Sequence, residues 1–217
     1  MVGMKTFLTR EEWLKKRSSY IGGSDAGAVM GLNPYMSNVD LWEIKTGRKE
    51  SPDISNESFV KFGHDAEPFL REMFKLDYPE IKVCYMDNNM WLNDRFPYAH
   101  ASLDGWLECE AGKGILEIKT VNVQNSAQLR QWNNRIPNSY YCQVLHYLMV
   151  TEFDFAILKA RLKWDAIDDK GLYCQIRHYK IERKDCERDI EMLAAAEEKF
   201  YWHIKNDVKP ALILPQI

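Results

Sequence analysis

The stretch that decides the fold runs from Tyr98 to Val121 and reads YAHASLDGWLECEAGKGILEIKTV. Successive side chains on a β-strand point to opposite faces, so Glu117 and Lys119 share one face of its apolar second half. Leu116 and Ile118 point to the other face. A charged pair is therefore predicted inside an apolar strand.

A turn predicted at residues 112–114 makes this stretch a candidate β-hairpin. The hairpin brings Asp104 beside Glu117, so that two carboxylates and the Lys119 ammonium group share one end of a sheet. Such a group suits divalent-metal hydrolysis of a phosphodiester, because Mg²⁺ and Mn²⁺ bind carboxylates, phosphate oxygens and water. The metal polarises the phosphate and lowers the pKa of a bound water, while the lysine holds that water or neutralises phosphate charge. An ordinary hairpin with a surface ion pair is the alternative.

A longer ordered set of motifs resembles a known family. Asp104 followed by Glu117-Ile118-Lys119 resembles the core of the PD-(D/E)XK nucleases, with Leu103 where the usual proline stands. Over about residues 10–150 the chain resembles the lambda-exonuclease or YqaJ-type viral recombinase family. The matching motifs are Arg17 with Ile21-Gly22-Gly23-Ser24-Asp25, Gly63 with Glu67, Ser102-x-Asp104-Gly105, Glu117-x-Lys119 and Tyr140-x-x-Gln143.

The resemblance implies an α/β fold with a PD-(D/E)XK core, in which helices flank a mixed central β-sheet. It also implies a catalytic set made of Lys119, Glu117, Asp104, Glu67 and Gln143. The implied Mg²⁺ ligands, for which Mn²⁺ can substitute, are Asp104, Glu117, the Ile118 backbone carbonyl and Glu67. The residues alone leave a second interpretation of each side chain open. Glu67 can be a carboxylate on the flank of a helix, and Gln143 can be a surface amide.

The glycine pair before Ser24 predicts a helix start with Ser24 as its N-cap. Free N–H groups at a helix start beside an arginine make a phosphate site, although Ser24 as a simple cap explains the same pattern. The resemblance implies that Arg17 and Ser24 bind the 5′-phosphate of a DNA strand, and we place Ser102 in the same DNA-binding set. Arg130 and Arg135 are further candidates for DNA-backbone contacts, or ordinary solvated charges.

The length, composition and net charge of the chain limit the classes of protein to which it can belong. A chain of 217 residues with 46% hydrophobic and 12% aromatic residues fits one folded domain spanning residues 1–217. The formal net charge of −3 gives no global sign of nucleic-acid binding. A local basic groove can still bind phosphate on a protein that is acidic overall.

Two features bear on the compartment. The five cysteines are scattered without a Cys-x-x-Cys pair. This pattern predicts reduced thiols in a cytoplasm, which the resemblance implies is that of a bacterial host, and it argues against zinc or iron–sulfur sites. No segment approaches ~18 consecutive apolar residues, so no membrane partner is expected.

The remaining pattern predicts the other elements. Thr9 caps a helix over residues 9–20, and Ser37 caps one that Gly47 closes. An apolar stripe at helical spacing predicts a core helix through Phe59, Phe62, Ala66, Phe69, Leu70 and Met73. Strands are predicted over residues 81–86, 90–92, 153–164 and 172–181, with an acidic turn at 165–169, and helices over 125–132, from 138, and over 183–204.

The resemblance implies an Mg²⁺-dependent exonuclease of phage or prophage origin. It would degrade one strand of double-stranded DNA from the 5′ end and leave a 3′ overhang for recombination by strand annealing. It would act as a homotrimeric ring on DNA ends, with a single-strand annealing protein as partner. Two alternatives stay open: an endonuclease on the same core, and a non-catalytic DNA-binding protein.

Overall fold

A computed structural model describes residues 1–165 and 172–214 of the chain. Its elements, in chain order, are β1 (Val2–Thr6), α1 (Arg10–Ser18), β2 (Ile21–Gly22), α2 (Gly23–Val29), α3 (Asn38–Lys45), α4 (Ser58–Asp77), β3 (Lys82–Cys84), β4 (Asn89–Asn93), β5 (Ala99–His100), β6 (Gly105–Cys109), β7 (Gly112–Asn122), α5 (Ser126–Arg130), α6 (Asn138–Thr151), β8 (Phe155–Asp165), β9 (Leu172–Glu182), a 3₁₀ turn (Arg183–Asp185) and α7 (Glu187–Lys205). No helix within the described residues is long and apolar enough to span a membrane.

The central sheet has the strand order β3-β6-β7-β8-β9. β7 and β8 run parallel, and each of the other neighbouring pairs is antiparallel. Helices cover both faces. The larger core joins one face to α2, α6 and α7, and a smaller core packs α4 on the other face through Leu70 and Phe74. The predicted mixed sheet flanked by helices is confirmed.

The hairpin of β6 and β7 is confirmed, but its predicted turn is wrong by two residues. Cys109 pairs with Gly112, so the turn consists of Glu110 and Ala111. Gly112 already belongs to β7 and has a φ of +111°. A side chain there would be strained, and its Cβ would lie 2.1 Å from a carboxylate oxygen of Asp154. Gly112 and Gly114 therefore belong to the strand, where the backbone conformation and the packing require them, and they do not form the turn.

The predicted burial of the α4 stripe is largely wrong. The helix exists, but Phe59, Phe62, Phe69 and Met73 are between 41% and 73% exposed. Its buried face carries Leu70, Arg71 and Phe74. The sheet covers only this buried face of the helix. Helical periodicity identifies an apolar stripe but does not show what packs against it, so the predicted burial was wrong.

Element boundaries elsewhere follow the sequence with small shifts. The Thr9 and Ser37 side chains each accept a hydrogen bond from the first turn of their helix, as predicted. The helix predicted over residues 125–132 ends at Arg130, and the last helix begins only at Glu187 after its 3₁₀ turn. The predicted turn at residues 165–169 lies, from residue 166 on, outside the described residues. All five cysteines are free.

Candidate active site

One cavity of about 690 Å³ collects most of the predicted site residues. Helices α1, α4 and α6, the end of β7 and the segment before β6 form its walls. The predicted residues that line it are Arg17, Glu67, Ser102, Asp104, Glu117, Ile118, Lys119 and Gln143. The topology thus brings together residues that are widely separated in sequence.

Asp104, Glu117 and Lys119 form the centre of this cavity. The Lys119 Nζ lies 2.6 Å from Glu117 Oε1, which confirms that the two side chains share a face of β7. Asp104 Oδ2 accepts a hydrogen bond of 2.8 Å from the Ile118 backbone N–H. This bond places the Asp104 carboxylate at the same end of the sheet as Glu117.

Gln143 on α6 holds Glu117 from the opposite side. Its Nε2 donates to Glu117 Oε1 at 2.9 Å and to the Tyr147 hydroxyl at 2.8 Å. Gly23, at the start of α2, lets the chain pack against these side chains, since a Cβ there would lie 2.4 Å from the Tyr147 ring. Gln143 is therefore a buried contact of the carboxylate and not a surface amide.

The pKa values of the carboxyl groups reflect their crowding. Burial, followed by the charge of Asp104, raises the pKa of Glu117 to about 8. The same two causes raise the pKa of Glu67 to about 7, and burial also raises the pKa of Asp104. Burial opposes the charge of Lys119, but Glu117 and Asp104 outweigh it and raise the lysine pKa. The site therefore has an unmet demand for positive charge.

A divalent cation fits this demand. Glu117 Oε2 is buried and has no hydrogen-bond partner in the part of the chain that the structure describes. Within residues 1–165 and 172–214, no three His, Cys, Asp or Glu side chains form a set that would hold a metal by themselves. Two carboxylates are nevertheless a usual protein contribution to Mg²⁺, whose other positions are filled by water and substrate phosphate. Asp104 and Glu117 suit this arrangement, and the Ile118 carbonyl as a ligand stays a prediction.

Glu67 reaches the cavity through a partner that the sequence analysis missed. Arg71, one turn further along α4, donates from Nη2 to the Glu67 carboxylate. Its Nε donates to the Asp104 carbonyl oxygen at 2.6 Å, and its guanidinium lies 3.5 Å from the centre of the Tyr85 ring. Arg71 thus fixes α4, and Glu67 with it, against the segment that carries Asp104.

The two serines assigned to phosphate binding differ in position. Ser24 is not the N-cap of α2, because the helix begins at Gly23 and the Asp25 carboxylate accepts from the Gly22 N–H at 2.9 Å. Its side chain is exposed and does not line the cavity. Ser102 does line it, and its buried hydroxyl has no hydrogen-bond partner among the residues described.

Arg130 and Arg135 are exposed and lie outside this cavity. Arg130 donates to the Ser126 hydroxyl at 3.3 Å within α5. Arg135 lines a separate cavity beside Leu32 and Pro137. A contact of either arginine with DNA stays a prediction.

The chain is similar to known proteins over most of its length. The model of the YqaJ-like viral recombinase domain matches residues 12–154. The chain belongs to this family. It is 30% identical over 198 residues to the uncharacterized protein YqaJ of Bacillus subtilis (strain 168), which amounts to 89% of the chain and 56% of that protein. The chain therefore spans little more than half the length of this relative.

Two solved structures resemble this YqaJ-like chain in fold. The alkaline exonuclease LHK-Exo from Laribacter hongkongensis gives a TM-score of 0.59 at 16% identity, covering 90% of this chain and 95% of that one. A phage related exonuclease from Haemophilus somnus 129PT gives 0.54 at 11% identity, covering 87% and 96%. At these identities the likeness shows the fold alone. The family and the PD-(D/E)XK core fold predicted from the motifs are confirmed.

The YqaJ-like chain has cavity residues that the sequence analysis left out of the site. Arg71 stands four positions after Glu67, and Trp13 stands four positions before Arg17. Both spacings place side chains on the same helix face, so a signal was present. Arg10 and His64 also line the cavity, and their meeting depends on the position of α1 beside α4.

Proposed function

We propose that this chain is an Mg²⁺-dependent 5′→3′ exonuclease that degrades one strand of double-stranded DNA, with Mn²⁺ able to substitute. The observation that carries the proposal is the buried, unpartnered Oε2 of Glu117 beside Asp104 and Lys119. Burying a carboxylate oxygen without a partner is costly, and a bound cation removes that cost. Membership of the YqaJ-like family supports the same proposal.

The roles of the residues follow from their contacts. Asp104 and Glu117 would hold the metal, which lowers the pKa of a bound water and polarises the phosphate. Lys119 would hold the attacking water and offset charge that develops on the phosphate. Gln143 fixes the Glu117 carboxylate, and Arg71 fixes Glu67 as a further group beside the water.

Recognition of a strand end is supported by Arg17. Its guanidinium lies over the Trp13 ring at 4.2 Å and faces the cavity. Among the described residues it makes no hydrogen bond or ion pair, and burial lowers its pKa. A terminal 5′-phosphate would supply the missing counter-charge, and the free Ser102 hydroxyl would donate to it. An endonuclease has no need of such a pocket.

The proposals about the product, the compartment, the partner and the assembly rest on family membership. The product would be a 3′ single-stranded overhang for strand annealing, in the bacterial cytoplasm and with phage or prophage origin. The annealing protein would be a separate partner. A homotrimeric ring around the DNA would keep a chain of net charge −3 on its substrate, because enclosure replaces part of the electrostatic attraction. The mass of the native assembly tests the trimer.

The decisive experiment uses a linear duplex that carries a 5′-phosphate and a distinguishable label on each strand. It is incubated with and without Mg²⁺ beside a covalently closed circle. Metal-dependent loss of the phosphorylated strand from its 5′ end, with the circle intact, is the expected result. Cutting of the circle would favour an endonuclease, and no cutting of either substrate would favour a binding protein.

A further inference from the structure

One face of α1 presents two arginines to the cavity. Arg10, Trp13 and Arg17 occupy this face at a spacing of three and four residues. The two guanidinium groups lie 5.7 Å and 4.2 Å from the centre of the Trp13 ring. All three side chains line the cavity.

The position of α1 relative to the carboxylates is fixed by a chain of hydrogen bonds. The Trp13 indole N–H donates to the Asn89 carbonyl at 3.0 Å. The buried Asn89 side chain in turn accepts from the Leu103 N–H and donates to the Leu103 carbonyl, both at 2.9 Å. Leu103 directly precedes Asp104. The arginines of α1 are therefore held at a set distance from the centre of the site.

Arg10 retains most of its hydrogen-bonding capacity. Within the described residues its one hydrogen bond runs from Nη1 to His64 Nε2, at 3.4 Å, and it has no carboxylate partner. A guanidinium carries five N–H donors, so most of them remain available to an anion. His64 lies on α4 one turn before Glu67, and this contact joins the arginine to the α4 wall of the cavity.

We propose that Arg10, oriented by His64, forms a second phosphate subsite. It takes the phosphodiester group next along the strand from the terminal phosphate at Arg17. This proposal rests on the proposed function, because it presumes that Arg17 holds the strand end. Both guanidinium groups lie at the Trp13 ring, 5.7 Å and 4.2 Å from its centre, so they are close enough together to bind neighbouring phosphates of one strand. The planar guanidinium group donates two parallel hydrogen bonds to a phosphodiester, whereas the ammonium group of a lysine acts as a single point charge.

The test measures binding in the absence of divalent metal, so that no ligand is cleaved. Three ligands are compared: 5′-phosphorylated thymidine, its 5′-phosphorylated dinucleotide, and the same dinucleotide with an uncharged methylphosphonate linkage. The wild-type chain is expected to bind the charged dinucleotide on the order of tenfold more tightly than either other ligand.

The variants assign this preference to Arg10. Arg10→Ala is expected to lose the discrimination between the two dinucleotides while keeping its affinity for the mononucleotide. Lys15→Ala removes the same charge from the exposed side of α1 and should keep the discrimination. Retained discrimination in Arg10→Ala, or an equal loss of affinity for all three ligands, would overturn the subsite.

The outcomes also separate this proposal from the proposed function. A wild-type chain that binds the mononucleotide but does not discriminate between the dinucleotides lacks the subsite and keeps its end pocket. A wild-type chain that binds none of the three ligands contradicts both the subsite and the end pocket. Digestion of the linear duplex, run in parallel, shows whether the exonuclease activity stands independently of the subsite.

Discussion

The Nε–H of Arg71 donates to the backbone carbonyl of Asp104 at 2.6 Å, across 33 positions of sequence. The same side chain binds Glu67, so it joins α4 to the segment before β6. The cavity depends on this junction because its carboxylates come from both elements. Arg71 thus positions carboxylates without needing to contact the substrate.

Replacing Arg71 should therefore weaken both the fold and the site. Arg71→Gln should lower the free energy of unfolding by about 2 kcal/mol or more, because it removes two hydrogen bonds of a charged group and leaves Glu67 unpaired. Mn²⁺ should also bind more weakly. Denaturant unfolding and a Mn²⁺ titration measure the two effects. Arg95→Gln, which breaks an exposed ion pair with Glu152, should cost under about 1 kcal/mol and leave Mn²⁺ affinity unchanged. Equal behaviour of the two variants would contradict the role of Arg71.

Lys119→Ala should reduce strand degradation by a factor on the order of 10² to 10⁴ while leaving Mn²⁺ and DNA binding largely intact. The reason is that, in the proposed mechanism, Lys119 acts on the water and the reacting phosphate and is not a metal ligand, although it contacts Glu117. Single-turnover cleavage and a separate binding assay measure the two properties. Lys113→Ala, on the exposed start of the same strand, serves as the matched control and should cleave normally. Unchanged cleavage by Lys119→Ala would remove it from the mechanism.

Asp104, Glu117 and Lys119 could be predicted from the sequence because their relative positions depend only on one strand and one hairpin. Glu117 and Lys119 share a face by strand alternation, and the hairpin alone brings Asp104 beside them. Arg71 and the exposed face of α4 were missed for a different reason. Both depend on which side of α4 meets the sheet, and this orientation is set by packing between distant parts of the chain.

The N-cap assignment of Ser24 failed for a related reason. Gly22, Gly23, Ser24 and Asp25 all favour a helix start, so composition alone did not fix the first residue. The structure begins the helix at Gly23, where contact with the Tyr147 ring leaves no room for a side chain. That constraint comes from α6 and is invisible in the local sequence.

Gly23→Ala tests this contact. The added methyl group would meet the Tyr147 ring and the Gln143 side chain, so the free energy of unfolding should fall by about 1–3 kcal/mol despite the better helix propensity of alanine. Cleavage should fall as well, because Gln143 holds Glu117. Gly3→Ala is the control, since nothing lies within 4 Å of a Cβ at that position. Equal stability of the two variants would show that the contact relaxes without cost.

The buried pair of His146 and Glu197 makes stability depend on pH. His146 Nδ1 lies 2.7 Å from Glu197 Oε1, and its Nε2 lies 2.8 Å from the His100 carbonyl, so a protonated ring can donate from both nitrogens. Burial alone would lower the histidine pKa, but the Glu197 charge and these hydrogen bonds raise it above its usual 6.5. Because the folded state holds the proton more tightly, this stabilisation is complete below pH 6.5 and is lost as the pH rises through the raised pKa.

His146→Leu should accordingly lower the free energy of unfolding by about 3–5 kcal/mol near pH 6, because it leaves Glu197 buried without its partner. The difference from the wild-type chain should shrink as the pH is raised. Unfolding curves recorded across the pH range measure it. Replacing both residues with leucine should recover much of the loss, and a pH-independent difference would contradict a charged pair.

The last prediction concerns the strand end and the residues that recognise it. Arg17→Ala should chiefly reduce the preference for 5′-phosphorylated over unphosphorylated duplex ends, because its guanidinium faces the cavity and has no ion-pair partner among the described residues. Lys16→Ala removes the neighbouring exposed charge and should keep the preference. Ser102→Ala should reduce it as well, since the unpartnered hydroxyl points to a missing acceptor. Cleavage rates on the two kinds of end provide the ratio for each variant. Equal losses on both ends for Arg17→Ala would count against the pocket, and a larger effect of Ser24→Ala than of Ser102→Ala would support the assignment made from sequence.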